Sequence, residues 1–388
     1  MTTSHWIKQH TFSSPDISTD VLIVGGGFAG LSTAYWISET RPDLKITLVD
    51  RGACGFGASG RNAGFLTKGS ASFYQSLCVK WGAERALEIL RFAEESISLL
   101  QQNILKASPE IKVERTTCQT LFQTDAAHGA WKDERFDPEK FGFGWKKQDH
   151  LPPSLRSKFF GALEGANEYK INPVQLMGSL KKLLQARKVQ VLENVSVYEI
   201  TPEGINTEIN RIRAKQVVLA LNGYFSEYHS AFEKLILPYR AQMVAVETDE
   251  ELDCPALYYD PPERVYWRKT SSKVFLVGGK RLLDVRGEHS NFDKITPVIQ
   301  QGLEAYLRDK LRLKYKVINR WSGIMGFTDH ELPYICEVAA PVPTFMLGGF
   351  SGHGIGLGFK SGLEVAELVA GKKPKSFFSQ FREPEIRL

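Results

Sequence analysis

The chain has 388 residues, 43% hydrophobic and 24% charged, which is enough for a large core shared between two interlocked units. Its formal charge of +5 includes no block of like charges, which argues against a nucleic-acid-binding tail. Five scattered cysteines, Cys54, Cys78, Cys118, Cys254 and Cys336, lack CxxC spacing, which argues against a disulfide framework or a structural zinc site. Reduced thiols, a cytoplasmic setting and no metal site are therefore expected.

The stretch MTTSHWIKQHTFSS lacks the basic-then-apolar pattern of a secretory signal. No apolar run approaches the roughly 20 residues that span a bilayer. Residues 21–24 predict a strand buried on both faces, 28–39 a helix and 45–50 a second strand, together a βαβ unit. Residues 52–70 are rich in Gly, Ala and Ser and predict a long loop of the kind that tends to be functional. The apolar spacing of Ala86, Leu87, Leu90, Ala93, Ile97 and Leu100 predicts one amphipathic helix over 81–105. Residues 113–122 suggest strands, and 132–153 are polar, aromatic and punctuated by proline. Asn172-Pro173 predicts an N-cap followed by Pro at the first helical position, with the helix running to about 187. Short strands are expected at 189–193, 197–200 and 216–221, and a β-rich stretch over 241–279. A helix over 297–313, a strand at 345–347 and a helix over 354–370 complete the order. That order implies a discontinuous α/β unit into which a mainly antiparallel one is inserted.

Two glycine segments carry the chemistry. In VLIVGGGFAG, Gly25, Gly27 and Gly30 match GxGxxG between strand and helix. The first glycine permits the tight turn, the second admits a pyrophosphate, and the third lets helix and strand pack closely. The helix start then offers N–H groups and a positive dipole end to phosphates. Asp50 ends the second strand about 20 residues on, where a carboxylate accepts hydrogen bonds from ribose hydroxyls. The second segment, MLGGFSGHGIGLG, lies near the other end of the chain. Two such segments suggest one extended cofactor held by distant parts of one domain, which favours FAD over a nicotinamide cofactor alone.

GFGASGRNAG over 55–64 and GFSGHG over 349–354 resemble the D-amino-acid-oxidase-type FAD-dependent oxidoreductase superfamily, the glycine and sarcosine oxidase-like group. The first looks most like the gamma-glutamylputrescine oxidase branch. The likeness covers about 20–64, 188–224 and 321 to the end and fades through the middle. It implies a Rossmann-like FAD-binding domain over 1–90, 160–230 and 320–388. An interlocked, mainly antiparallel β-sheet substrate domain carrying helices would take 91–159 and 231–319. It places Phe28, Ala29 and Arg51 beside the first motif, and Ser59, Gly60, Arg61 and Asn62 along the pyrophosphate and flavin edge. Ala63, Gly64 and Phe65 would pass the isoalloxazine ring, Val195 would touch adenine, and Ala220, Asn222 and Gly223 would turn over the cofactor. Gly323, Gly352, His353, Gly354, Ile355 and Gly356 complete the implied set, the last five bringing N–H groups to flavin O2 and N1.

The resemblance also marks departures. Met325 stands where glycine-oxidase-like members carry an arginine for the substrate carboxylate, and Gly356 where sarcosine oxidase has a lysine. A thioether does not replace a bidentate arginine. Ser322 stands where sarcosine oxidase has its flavin-linking cysteine, and the histidine some relatives use near Arg61 is absent, so FAD is expected to bind non-covalently. The implied activity is oxidation of an amine C–N bond by hydride transfer to flavin N5, with imine hydrolysis and reoxidation by oxygen or another acceptor. The flavin is the redox centre, and His353, Met325 and Tyr266 are the candidate catalytic residues. Tyr258, Tyr259, Tyr266 and Trp267 are candidates for an aromatic amine pocket. Competing implications are a flavin-dependent tRNA wobble-uridine oxidase, a subunit of a heteromeric amine dehydrogenase and a non-catalytic flavin-binding partner. The small-molecule amine is the expected partner, with neither nucleic acid nor a membrane span.

Overall fold

The computed structural model describes residues 14–124, 145–374 and 376–380. The stretch up to residue 13 and residues 132–144, read above from sequence, lie outside them. In chain order, β1 (Ile17–Val24), α1 (Phe28–Thr40) and β2 (Ile46–Val49) form the βαβ unit. Next come α2 (Ala58–Arg61), β3 (Phe65–Leu66), α3 (Ala71–Trp81) and α4 (Ala83–Asn103). Strands β4 (Val113–Phe122), β5 (Lys146–Gln148) and β6 (Gly161–Ile171) lead to α5 (Pro173–Ala186). Then follow β7 (Gln190–Leu192), β8 (Val197–Thr201), β9 (Gly204–Thr207) and β10 (Arg211–Leu219). The strands β11 (Leu237–Thr248), β12 (Leu257–Asp260), β13 (Val265–Lys269) and β14 (Val274–Gly279) precede α6 (Pro297–Ala305). The last elements are β15 (Tyr315–Phe327), β16 (Tyr334–Val338), β17 (Thr344–Gly348) and α7 (Gly354–Val369).

Two sheets organise these elements. The first runs β16-β17-β10-β1-β2-β7, with β9 on β10 and β8 on β9. It is parallel from β17 to β7, and only β16 and the β8–β9 hairpin run against their neighbours. Its central strands are apolar on both faces, as a parallel sheet covered by helices requires. The second runs β15-β11-β14-β13-β12-β4-β6-β3, with β5 on β6, and is antiparallel except at β12–β4. One of its faces packs Val244, Val246, Val265, Trp267, Phe275 and Val277 into a core closed by α6.

Local expectations fail where tertiary pairing decides. The helix expected over 81–105 is α4, Ala83–Asn103; Gly82, at φ 81°, separates it from the unforeseen α3, which Ser70 caps by accepting from Phe73 N. The loop expected over 52–70 contains α2 and β3. The expected helix over 297–313 is α-helical only to Ala305 and widens into a π turn over Tyr306–Lys310. Asn172 caps α5 as expected, its Oδ1 accepting from Val174 and Gln175 N–H.

Candidate cofactor and active site

The β1–α1 turn is shaped by contacts that only glycine allows. A Cβ at Gly25, where φ is 112°, would run into the Ala220 carbonyl, and one at Gly30 would overlap the Gly25 carbonyl oxygen. Gly27 precedes α1 with no side-chain cap of its own. Instead Ser59, from α2, reaches across and accepts from Phe28 N at 2.8 Å. Asp50 ties the turn together: one carboxylate oxygen accepts from Gly26 N at 2.6 Å and the other from Gly52 N at 2.8 Å. Burial nevertheless pushes the Asp50 carboxyl above its ordinary value. Each oxygen keeps a lone pair for a ribose hydroxyl. Val195 is buried against the same corner, with its N–H on the Asp50 carbonyl at 2.9 Å. Arg51 points away, paired with Glu227 and lying 4.2 Å over the Tyr224 ring. Ala220 holds the turn by its N–H on the Val24 carbonyl at 2.8 Å, and Asn222 follows at φ 46°.

The α2–β3 segment lies under the second sheet. Asn62 donates to the Ser59 carbonyl at 2.7 Å and accepts from Gly64 N at 2.8 Å, which fixes the turn into β3. At Gly60 a Cβ would strike the Gly55 carbonyl, and at Gly64, φ 70°, it would strike the Ile171 carbonyl. Ala29 packs on the large core and Ala63 is buried. Arg61 is fully engaged: it pairs with Asp293, donates to the Ser322 carbonyl at 3.0 Å and stacks over Phe56 at 4.2 Å. Trp321 Nε1 donates to the Arg61 carbonyl at 2.8 Å, and Gly323 leaves only 3.3 Å between its would-be Cβ and the Arg61 side chain. Asp293 gave no signal in the sequence, because it lies in a polar loop far from every motif.

The C-terminal glycine segment closes the other side. Gly349, Ser351 and Gly352 have φ of 79°, 49° and 92°, a tight reversal that aims the start of α7 inward. His353 precedes α7 without a side-chain cap, and Gly356 meets the Thr67 carbonyl so closely that a Cβ would clash. The His353 ring stacks on Phe73 at 3.5 Å, with Nδ1 3.2 Å from the Ser351 carbonyl. Burial pulls it down to about 4, so the ring is neutral at physiological pH. Ile355 packs on the large core beside it. Met325 reaches the same turn, its sulfur 3.9 Å from where a Gly352 Cβ would lie, and its carbonyl walls Gly223 at 3.0 Å.

The second sheet turns its other face to these segments. Strand alternation puts Tyr239 opposite Met325 and Tyr266 opposite Gly278, on the face away from Trp267. Tyr266 meets Phe65 edge-on at 6.0 Å, and burial pushes its hydroxyl up to about 12. Arg268 is buried beside Gly64, donating to the Ile171 carbonyl at 3.0 Å while its Nε has no partner; burial pulls it down to about 10. Tyr258 and Trp267, expected as pocket candidates, instead stack on each other at 4.1 Å in the core, because their registers face inward. The structure therefore brings Met325, Gly223, Gly352 and His353 to one turn, while Tyr266 approaches from Phe65. A surface cleft lined by Lys80, Trp81, Lys234, Asp329 and His330 includes no residue of the glycine motifs.

These residues fit a dinucleotide flavin. Two helix starts lack side-chain caps from their own N-cap residues, and nothing lies within 4 Å of a would-be Cβ at Gly57. Uncapped N–H groups and close backbone approach are what phosphates and a flat ring require. Among the described residues no cluster of His, Cys, Asp or Glu is arranged to hold a metal, and no helix is long and apolar enough to cross a membrane.

Comparison with known proteins agrees. The family described as "DAO: FAD dependent oxidoreductase" matches residues 20–368. The gamma-glutamylputrescine oxidoreductase of Escherichia coli (strain K12) is 24% identical over 380 residues, covering 92% of this chain and 84% of that protein. A probable oxidoreductase OrdL of Haemophilus influenzae is 21% identical over 384 residues, covering 95% of this chain and 86% of that protein. Among solved structures, L-proline dehydrogenase from P. horikoshii superposes with a TM-score of 0.75 at 18% identity, covering 95% of this chain and 97% of that one. Glycine oxidase from Geobacillus kaustophilus gives 0.73 at 20% identity, covering 95% and 100%.

Proposed function

The chain belongs to the FAD-dependent oxidoreductase family matched over residues 20–368, and from that premise we propose that it oxidises a C–N bond of an amine or amino-acid derivative. One observation carries the reading: a single face of the second sheet, bearing Trp321, Gly323, Met325 and Tyr266, closes over the glycine segments from both ends of the chain. FAD, when bound, supplies the acceptor for the hydride at flavin N5. The protein's own residues bind, orient and exclude water.

In this reading the start of α1, with Ser59, holds the pyrophosphate, and Asp50 takes ribose hydroxyls through the lone pairs its backbone bonds leave free. The start of α7 presents N–H groups and a positive dipole end where negative charge develops on reduction. His353, neutral and stacked on Phe73, shapes that turn and carries no charge of its own to it. Met325 and Tyr266 wall the space in which the amine carbon is oriented, as positioned reactions demand. The neutral amine loses a hydride from carbon and a proton from nitrogen, and the imine leaves and is hydrolysed. Oxygen or another acceptor would take up the electrons. A cytoplasmic setting is part of this proposal.

Anaerobic mixing with polyamines, gamma-glutamyl amines, N-methyl amino acids and simple amines tests the reaction. Bleaching of the visible flavin band by at least one class is expected, and an unchanged band with all of them overturns the proposal. Non-covalent binding is read separately: acid precipitation is expected to leave yellow cofactor in the supernatant. Ser322 and Arg61 offer an aliphatic hydroxyl and a guanidinium, neither a nucleophile of the thiolate or imidazole kind, which supports this reading.

A further inference from the structure

The turn that follows β14 places two cations side by side and neutralises only one. Gly279, at φ 131°, and Lys280, at φ 62°, reverse the chain, so consecutive side chains leave in different directions. Lys280 pairs with Glu263. Arg281 has no carboxylate within ion-pair distance among the described residues. Its guanidinium instead lies 4.1 Å over the Phe327 ring and 5.1 Å over the Tyr239 ring. Tyr266, Tyr239 and Tyr259 are close enough to act on its charge, and a second cation, Arg264, acts against it.

This position is tied to the candidate site by register. Tyr239 pairs with Met325 across β11 and β15, and Tyr266 rests on Phe65. Arg281 thus stacks on the cross-strand neighbour of Met325 and lies close enough to Tyr266 to act on its charge. Stacking on rings leaves the N–H edge of a guanidinium unused, since the ring meets its face. A half-buried cation with no carboxylate beside it is short of a counter-ion, and burial does pull Arg281 below its ordinary value.

We propose that Arg281 is the specificity-determining cation of this enzyme, and that it takes a carboxylate carried by the amine substrate, from the β14 turn rather than from the β15 position that Met325 occupies. The inference rests on the function proposed above, because that reading puts the substrate between Tyr266 and Met325. The planar fork binds a carboxylate through two parallel N–H bonds while Tyr239 and Phe327 hold its plane. It accounts for a site that lacks a cation on β15 yet carries an unneutralised one across the sheet.

The test is a titration of the oxidised holoprotein with benzoate, followed by the visible flavin spectrum, with benzamide as the uncharged isostere. Wild type is expected to show a saturable spectral change with benzoate. Arg281→Met is expected to weaken that affinity on the order of 100-fold while leaving any benzamide affinity unchanged. Arg281→Lys is expected to restore only part of it, since it keeps the charge without the fork. Equal benzoate affinity in wild type and Arg281→Met, or no saturable change in wild type, overturns the proposal. If Arg281→Met loses flavin, Arg281→Gln is read by the same criterion. Benzoate binding needs no turnover, so failure of every amine to bleach the flavin overturns the proposed reaction separately.

Discussion

At the scale of single residues, the site depends on groups whose charge or bulk is withheld. His353 is held down to about 4 against an ordinary 6.5, by burial first, with the Ser351 carbonyl and Glu331 opposing. Its folded value lies below its unfolded one, so the unfolded chain takes up the proton first as pH falls. The neutral ring therefore contributes no pH dependence above about 6.5, and stability is lost as pH falls from 6.5 toward 4. The slope from this group is at most about 1.4 kcal/mol per pH unit. Urea midpoints at several pH values should show a shallower acid-side fall in His353→Gln than in wild type; parallel curves would refute the assignment. Loss of the Phe73 stacking lowers the variant's whole curve and leaves the slope as the readout. Gly30 withholds bulk. Because a Cβ there overlaps the Gly25 carbonyl, Gly30→Ala is expected to cost about 1–3 kcal/mol and to lower the flavin-to-protein absorbance ratio. A variant with full flavin content and wild-type stability would show that the turn can open.

At the scale of elements, the same substitution is expected to act with opposite signs in two helices. In α7, a Cβ at Gly362 would lie 2.8 Å from the Ser32 and Thr33 backbone, and Trp36 Nε1 bonds the Phe359 carbonyl at 2.9 Å across the same crossing. Gly362→Ala must move α7 off α1, so it is expected to cost about 1–3 kcal/mol and lower the melting temperature by several degrees. In α5, Gly178 is exposed and nothing lies within 4 Å of its would-be Cβ. Gly178→Ala is expected to stabilise by about 0.5–1 kcal/mol through helix propensity alone. Differential scanning calorimetry of both variants checks the pair, and shifts of the same sign would contradict the packing read here. The contrast also shows what sequence can reveal. The β1–α1 turn, Asp50, the Asn172 cap and the last glycine segment announce themselves because each is a local device with its own residue chemistry. Strand β15 does not, because the mixed polarity of YKVINRWSGIMGF over 315–327 gives neither a clean period of two nor an apolar run. Tyr239, Asp293 and Arg281 carry no motif at all. Their roles exist only once β11 pairs with β15 and the loop after β14 folds back onto that pair.

At the scale of the whole molecule, the segments proposed to hold FAD come from three separate stretches: the β1–α1 turn, α2 with β3, and the start of α7. They touch one another directly, Ser59 accepting from Phe28 N and Gly356 lying close against the Thr67 carbonyl. A ligand that touches all three at once should then add to global stability by mass action, about 2.7 kcal/mol at a free concentration 100 times its dissociation constant. Stripped protein is expected to melt below the holoprotein and to recover as FAD is added, with the midpoint rising in proportion to the logarithm of FAD concentration. Riboflavin separates the segments' contributions. It offers the ring to β3 and α7 but nothing to the start of α1, to Asp50 or to Val195. At equal concentration its shift should be much smaller than that of FAD. Equal shifts would mean that the first glycine motif holds no phosphate, and the N–H groups of the first turn of α1 beyond Phe28 would then need another occupant.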